Sequence, residues 1–345
     1  MSTAQSQIPT AKLGSNGPAI PRLGFGLMGL SAFYGGYESD EKRFEVLDRA
    51  IELGETFWDT SDIYGDNEDL LGKYFKHNPS ARQKVFLATK FAGQFDGQTM
   101  TVDSSPEYAK KALEKSLQRL GLDSVDLYYV HRIDGKTPIE KTMEFLKEAQ
   151  QQGKIKYIGL SEASARTLRR ASKIVHIDAV QLEYSPFALE CEADDDRYGV
   201  LKACRELGTA IVAYSPLGRG LLTGQFRSPD DFEDGDFRKY SPRFSKENFP
   251  KNLEIVDKIE QLAKKKNVTP GQLTLAWLLA QGDDIFPIPG TKKIKYLEEN
   301  VGGAGVKLSK EEVDEIRQVV EAAEVAGGRY PDGYEDGLYA DTPEL

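Results

Sequence analysis

The chain has 345 residues, 39% hydrophobic and 29% charged, enough for a sizeable core beneath a well-solvated surface. Lys and Arg total 45 against 55 Asp and Glu, and the net charge of −10 argues against nucleic acid or another polyanion as partner. No apolar run approaches the roughly 18–20 residues that span a bilayer, so no membrane-spanning helix is expected.

The two cysteines, Cys191 and Cys204, cannot make a disulfide framework, and with three histidines there is no zinc set. They read as free thiols of a reducing compartment. The N-terminal MSTAQSQIPTAK has neither a basic start nor a hydrophobic segment, so no signal peptide is expected and the cytoplasm is the expected location.

In chain order, KLGSNGPAIPRLGFG predicts a hairpin turning at Ser15-Asn16-Gly17. A helix follows over Asp40–Leu53, with apolar residues at helical spacing and Gly54 as its stop. The strand TFWD, a helix over Asn67–Phe75 and the strand KVFLATK come next. Ser105-Pro106 opens a helix that closes at Gly121. Strand VDLYYVH, a helix over Pro138–Gln151, strand IKYIGLS and a helix over Ala165–Ile174 follow. Then come strand DAVQLEY, a helix over Asp195–Leu207 and strand TAIVAYSPL. A long insertion, Leu217–Asn252, precedes helices over Leu253–Lys266 and Gln272–Ala280, strand DIFPIPG and a helix over Lys293–Val301.

With LGFGLM as the first strand there are eight, nearly all followed by a helix. This alternation predicts parallel strands with right-handed crossovers, and VFLAT, DLYYV and AIVAY are apolar on both faces, as covered parallel strands are. GFGLMG opens no clear helix and has no acidic residue at the dinucleotide-fold distance. The polar residues of chemical interest fall at the C-terminal ends of many strands, where a barrel carries its active site. The expected fold is therefore a (β/α)8 TIM barrel, α/β, with an N-terminal β-hairpin and an extra C-terminal helix. It is read as one domain over residues 1–345, with a core of about 12–325 between a polar N-terminal tail and an acidic C-terminal tail. The insertion reads as a lid.

Asp59 and Tyr64 follow the second barrel strand, Lys90 ends the third and His131 the fourth. An ammonium beside a phenol favours the phenolate, and a carboxylate keeps that ammonium charged. Lowering a Tyr pKa by about 2–3 units needs about 3–4 kcal/mol. The set suits protonation of an alkoxide forming on a carbonyl carbon, with His131 orienting the carbonyl oxygen or relaying its proton; it contains no metal ligand set. Hydride from a nicotinamide produces such an alkoxide, which directs attention to the remaining strand ends. Ser161, Glu162 and Gln181 are candidates for gripping a carboxamide, and Tyr184 for stacking on its ring. The Gly-rich loop Ser215-Pro216-Leu217-Gly218-Arg219-Gly220 suits a pyrophosphate. Gly290-Thr291-Lys292-Lys293 at a helix start suits the 2′-phosphate of NADP. Met28, Phe33, Tyr34 and Phe91 are candidates for an apolar or aromatic substrate pocket.

Together DTSDIYG, ATK, VDLYYVHRID, GKIKYIGLSE, VQLEYSP, YSPLGRGLLTG and IPGTKKIKYLEEN resemble the aldo-keto reductase family, in its microbial and plant aldehyde-reducing branch (pyridoxal- and aryl-aldehyde reductase-like). The resemblance implies an NADPH-dependent oxidoreductase that reduces aldehydes or ketones, binding its cofactor without a Rossmann domain. It implies Tyr64 as general acid, modulated by Lys90, Asp59 and His131. It also implies Ser161, Glu162 and Gln181 at the nicotinamide amide and Tyr184 on its ring. Ser215, Leu217 and Gly220 would meet the pyrophosphate, and Thr291, Lys292, Glu299 and Asn300 the adenosine end. The chain departs from the family pattern at Glu162, where many relatives carry Asn, and at Tyr296, where many carry an Arg that meets the 2′-phosphate; Lys292 and Lys293 must then supply the charge that prefers NADP over NAD. Two other readings stay open: a cofactor-binding redox sensor or regulatory subunit, and a barrel lyase with a Schiff base on Lys90.

Overall fold

The alternation of strand and helix curls one sheet into a barrel in the computed structural model, which describes residues 8–95, 99–331 and 333–345. Most of the polar N-terminal tail, on which the signal-peptide expectation rests, lies outside the described residues.

An antiparallel hairpin of β1 (Thr10–Lys12) and β2 (Ala19–Pro21) comes first. The first barrel strand, β3 (Phe25–Gly26), leads to α1 (Asp40–Leu53), and β4 (Phe57–Asp59) leads to α2 (Asn67–His77) and the short α3 (Pro79–Arg82). After β5 (Phe86–Phe91) a small hairpin, β6 (Gly93–Phe95) and β7 (Met100–Val102), precedes α4 (Pro106–Leu120). The units β8 (Val125–Val130) and α5 (Ile139–Gln151), β9 (Ile155–Ser161) and α6 (Ala165–Ala171), β10 (Ala179–Glu183) and α7 (Val200–Leu207) follow. The last strands, β11 (Ala210–Tyr214) and β12 (Ile285–Pro287), are separated by the insertion, α8 (Phe249–Lys266) and α9 (Pro270–Leu279). The chain then adds α10 (Ile294–Ala304) and the extra C-terminal helix α11 (Lys310–Glu321).

Eight strands pair side by side and in parallel from β3 to β12. A bridge between Gly26 and Gly290 joins the two edges. Both are glycines for a steric reason, since a Cβ on Gly290 would come within 2.6 Å of the Gly26 carbonyl oxygen.

Side chains of a strand alternate between barrel interior and helix layer. The interior holds Phe57, Ala88, Leu127, Tyr129, Ala179, Ala210, Val212 and Phe286. Leu13 and Ile20 of the hairpin plug its floor in the same cluster, each burial worth about 1.5–3 kcal/mol. The larger core lies between strands and helices. Local chemistry sets the helix ends. Gly54 and Gly121 take left-handed conformations after α1 and α4, the Ser105 hydroxyl accepts from the Tyr108 N–H, and Thr269 and Gln272 form a capping box on α9.

The expected helix over Asp195–Leu207 begins only at Val200, because the Asp195 carboxylate accepts from the Arg197 and Tyr198 N–H groups and holds a turn there. The helix expected to reach Ile174 stops at Ala171. The β6–β7 hairpin has no counterpart in the sequence reading.

Glu55, just before β4, is fully buried, and neither carboxyl oxygen has a partner among the described residues. Burial pushes its pKa well above the usual 4.5, so the folded protein holds the neutral acid. A group that binds its proton more tightly when folded lends full stability below the unfolded pKa of about 4.3 and loses it as pH rises toward the folded value. Glu55→Gln is neutral throughout. In denaturant titrations it is expected to gain on wild type progressively as pH rises above about 4.3, the unfolded value; a difference that does not change with pH would contradict a protonated Glu55.

Candidate active site

Interior-facing residues at the C-terminal ends of β4, β5 and β10 converge on one buried ammonium. Lys90 Nζ donates to Asp59 Oδ1 at 2.5 Å, to the Thr60 carbonyl at 2.8 Å and to the Tyr64 phenol oxygen at 3.3 Å. The second oxygen of Asp59 accepts from Gln181 Nε2 at 2.8 Å. Lys90 is 0% exposed and Asp59 2%. His131, directly after β8, meets the Tyr64 ring edge-on with centroids 5.8 Å apart. Its Nδ1 lies 3.1 Å from the Ser61 hydroxyl, which also reaches Asp62 at 3.2 Å. The structure thus brings Asp59, Tyr64, Lys90 and His131 together.

Burial disfavours a charge on Lys90, but Asp59 and Tyr64 more than offset it and hold the amine above its usual 10.5. Burial raises Asp59, opposed by Lys90 and Gln181. Burial, Arg132 and Lys90 push His131 well below 6.5, so its ring is neutral. Tyr64 differs from the sequence expectation of a depressed pKa. Burial raises it above 10 and outweighs the downward pull of Lys90. The phenol therefore stays protonated. Because Lys90 donates to its oxygen, the phenol's own hydrogen remains available to a further acceptor. Asp62, desolvated and facing Glu68, is pushed up to about 7.

Ser161 ends β9, buried, with its hydroxyl accepting from Arg132 at 3.3 Å. Glu162 follows it at φ 50° and is fully buried; its Oε1 accepts from the Tyr214 hydroxyl at 2.8 Å, and its Oε2 has no partner among the described residues. Phe33, Ala92, Glu162, Ser215 and Arg219 are non-glycine residues at positive φ in loops after barrel strands, and such strain concentrates at working sites.

Two candidates are placed elsewhere. Tyr184 is fully buried on the helix side of the barrel wall, its ring 6.3 Å from Trp277 and its hydroxyl donating to Glu192. It follows Gln181 by three positions, an odd spacing that turns it to the opposite face. Phe91 likewise points outward beside inward Lys90 and stacks on Tyr128 at 5.1 Å. Of the half-buried rings packed against the interior cluster, Phe86, Tyr157 and Tyr214, it is Tyr214 that lies at the C-terminal end of its strand, β11, in register with Glu183. Its signal in the sequence is its place immediately before Ser215.

The insertion folds into 3-10 turns at Gly218–Thr223, Pro229–Asp231, Phe237–Tyr240 and Pro242–Phe244. Gly220 lies at φ 92°, and half-buried Leu217 begins this stretch. Arg219 turns inward, 3.6 Å from Glu183, and donates to the Arg329 carbonyl at 2.6 Å. The Phe237 N–H donates to the Phe33 carbonyl, so the insertion lies on the β3–α1 loop. There Phe33, 43% exposed, sets its ring edge-on to Tyr64 at 6.4 Å and to Phe237 at 6.3 Å. Tyr34 packs on Phe237, and Met28 is half-buried in a 3-10 turn of that loop.

Beyond β12, Gly290 carries the barrel closure, and the Thr291 hydroxyl accepts from the Lys293 N–H. Lys292 donates to the carbonyls of Tyr34 and Gly36, both at 2.9 Å. Lys293 and Lys295 flank the Tyr296 ring at 5.9 and 5.7 Å. Glu299 accepts from the Thr269 hydroxyl at 2.7 Å, and Asn300 is buried beside it in α10.

The acidic tail is part of this face. Arg329 reaches Glu162 at 3.5 Å and Glu183 at 3.6 Å, and the Tyr330 hydroxyl lies 3.4 Å from both Tyr214 and Arg132. The Ala340 N–H donates to the Glu162 carbonyl, and the Ser164 N–H to that of Ala340. Asp341 accepts from Ser164 and Arg166.

Residues 22–321 match the profile of the aldo/keto reductase family. The chain is 55% identical over 342 residues to the aldo-keto reductase yakc [NADP(+)] of Schizosaccharomyces pombe, covering 98% of this chain and 99% of that one. It is 50% identical over 343 residues to the aldo-keto reductase str7 of Strobilurus tenacellus, with coverage of 98% and 99%. Among solved structures it is similar to the glycerol dehydrogenase AKR11B4 from Gluconobacter oxydans, at TM-score 0.79 and 26% identity over 93% of this chain and 97% of that one. It is also similar to a thermostable aldo-keto reductase, Tm1743, solved with the inhibitor epalrestat, at TM-score 0.70 and 30% identity over 90% and 99%. The chain belongs to the aldo/keto reductase family of oxidoreductases.

Proposed function

We propose that this protein reduces aldehydes or ketones to alcohols with NADPH, and that Tyr64 is the proton donor. The observation that carries the reading is the position of the phenol: buried, protonated, accepting from an ammonium, with its own hydrogen unspent. Bound NADPH supplies the hydride to the carbonyl carbon. As negative charge grows on the carbonyl oxygen, the Tyr64 O–H donates to it and gives up its proton, and Lys90, kept cationic by Asp59, stabilises the phenolate left behind. Neutral His131 orients the carbonyl oxygen by a hydrogen bond from its ring N–H, which a histidine held below its usual pKa can do without adding charge. The Lys90 amine, held as ammonium, lacks the lone pair that a Schiff-base lyase needs, which weighs against that alternative.

Several features fit a bound dinucleotide. The unpartnered, buried Oε2 of Glu162 is an acceptor in want of a donor such as a carboxamide NH2, with Ser161 and Gln181 beside it. Tyr214 is the ring that would face the nicotinamide, in place of Tyr184. Ser215, Leu217 and Gly220 would line the pyrophosphate, overlaid by the insertion. At the adenosine end, Lys293 and Lys295 around Tyr296 are the cations free of carboxylate partners among the described residues, while Lys292 ties down the β3–α1 loop. Thr291, Glu299 and Asn300 would complete that end. The name of the Schizosaccharomyces pombe relative, which specifies NADP(+), supports the phosphate-bearing cofactor.

Tyr64→Phe is expected to lower kcat for aldehyde reduction by about 10²–10⁴-fold, the usual worth of a general acid, while leaving NADPH affinity by fluorescence titration within a factor of about two. Turnover equal to wild type would remove Tyr64 from the mechanism. Replacing both Lys293 and Lys295 by Ala is expected to weaken NADPH binding about tenfold or more and NADH binding little, since charge-assisted contacts to phosphate are worth about 1.5–3 kcal/mol. Equal losses for both cofactors would refute this placement of the 2′-phosphate.

A further inference from the structure

Arg132 follows His131 at the end of β8, half-buried at the barrel mouth. Its N–H groups donate to the His131 carbonyl at 2.8 Å, to the Ser161 hydroxyl at 3.3 Å and to the Tyr330 hydroxyl at 3.4 Å. Every one of these acceptors is uncharged. Neighbouring guanidinium groups are paired: Arg219, Arg243 and Arg329 all meet Glu183, at 3.6, 3.3 and 3.6 Å, and Arg329 also meets Glu162 and, at 3.9 Å, Glu190. Glu183 and Glu162 are thus already engaged, and Arg132 has no carboxylate in ion-pair reach among the described residues. A half-buried cation with no carboxylate in reach leaves its charge for an anionic ligand to neutralise. Its electrostatic neighbours are Tyr330, Tyr214, Glu162 and Tyr64, the last being the proposed proton donor.

We propose that Arg132 is an anion subsite for the substrate, and that the preferred substrates are carbonyl compounds bearing a carboxylate. The planar fork of a guanidinium suits a carboxylate in particular. Its three neutral contacts fix the side chain in place, next to the histidine that orients the carbonyl. A substrate held at both its carbonyl oxygen and its carboxylate is aligned for hydride arrival. The Tyr330 hydroxyl, between Arg132 and Tyr214, lends the C-terminal tail a share in this subsite.

This inference rests on the reading of Tyr64 and its neighbours as the reducing site. Para- and meta-carboxybenzaldehyde are compared with the matching carbamoylbenzaldehydes, on wild type, Arg132→Gln and Arg132→Lys. Wild type is expected to favour the carboxylates in kcat/KM, with a preference that shrinks as salt is added. Arg132→Gln should cut kcat/KM by about 10–100-fold for the carboxylates, the range of a charge-assisted hydrogen bond, and by less than about threefold for the carbamoyl compounds. Arg132→Lys should restore part of the preference, and NADPH affinity should stay the same in all three. Equal losses on both series, no preference in wild type, or a matching loss of NADPH affinity, which would assign the cation to the cofactor, each overturns the proposal. Tyr64→Phe, run in parallel, separates the two readings: an inactive Tyr64→Phe beside an Arg132→Gln that keeps its carboxylate preference sinks the subsite alone, whereas an active Tyr64→Phe sinks the reducing site.

Discussion

The ion pair between Lys90 and Asp59 sits where the barrel interior meets its open end, with both groups almost wholly buried. A lone ammonium there would give up its proton, because burial penalises charge. Asp59 keeps it, Gln181 holds the other carboxylate oxygen, and the Thr60 carbonyl takes another ammonium hydrogen. All of the pair's direct partners come from strands β4, β5 and β10 or the loop after β4, so the closure of the barrel fixes a geometry that no local segment could hold. Removing either charge would strand the other in the interior, a loss of about 3–5 kcal/mol. Stability and the proposed chemistry therefore rest on the same pair.

The phenol shows why the direction of a pKa shift is a contest of magnitudes. Lys90 does favour the phenolate, but a tyrosine only 9% exposed loses more by desolvation than one ammonium returns. A donor that holds its proton until an oxyanion forms beside it is better suited to reduction than one already ionised at rest. A second charge network closes the face from the other side, where Glu162 and Glu183 draw in arginines from the insertion and from the tail. These contacts bring Arg329 and Tyr330 to the strand ends, far along the chain from the residues they meet.

Much of the fold is legible in the sequence, because parallel strands apolar on both faces and regular helix stops are local signals. Asp59, Tyr64, Lys90 and His131 are legible for the same reason, since each follows or ends a recognisable strand. Tyr184 and Phe91 lie close in sequence to Gln181 and Lys90 but differ from them in parity, and an odd offset moves a side chain to the other face of the wall. Tyr214 has the correct parity but is masked by the Gly-rich loop that follows it. The tail carries no periodic pattern at all; its place depends on buried carboxylates more than a hundred residues away, which composition cannot reveal.

The most direct test of the central claim is a titration of Tyr64 itself, by NMR of ring-labelled tyrosine in wild type and in Lys90→Met. The account predicts a phenol that titrates above 10 in wild type and higher still without the ammonium. A Tyr64 that ionises well below 10, or that titrates identically in the two proteins, would contradict it.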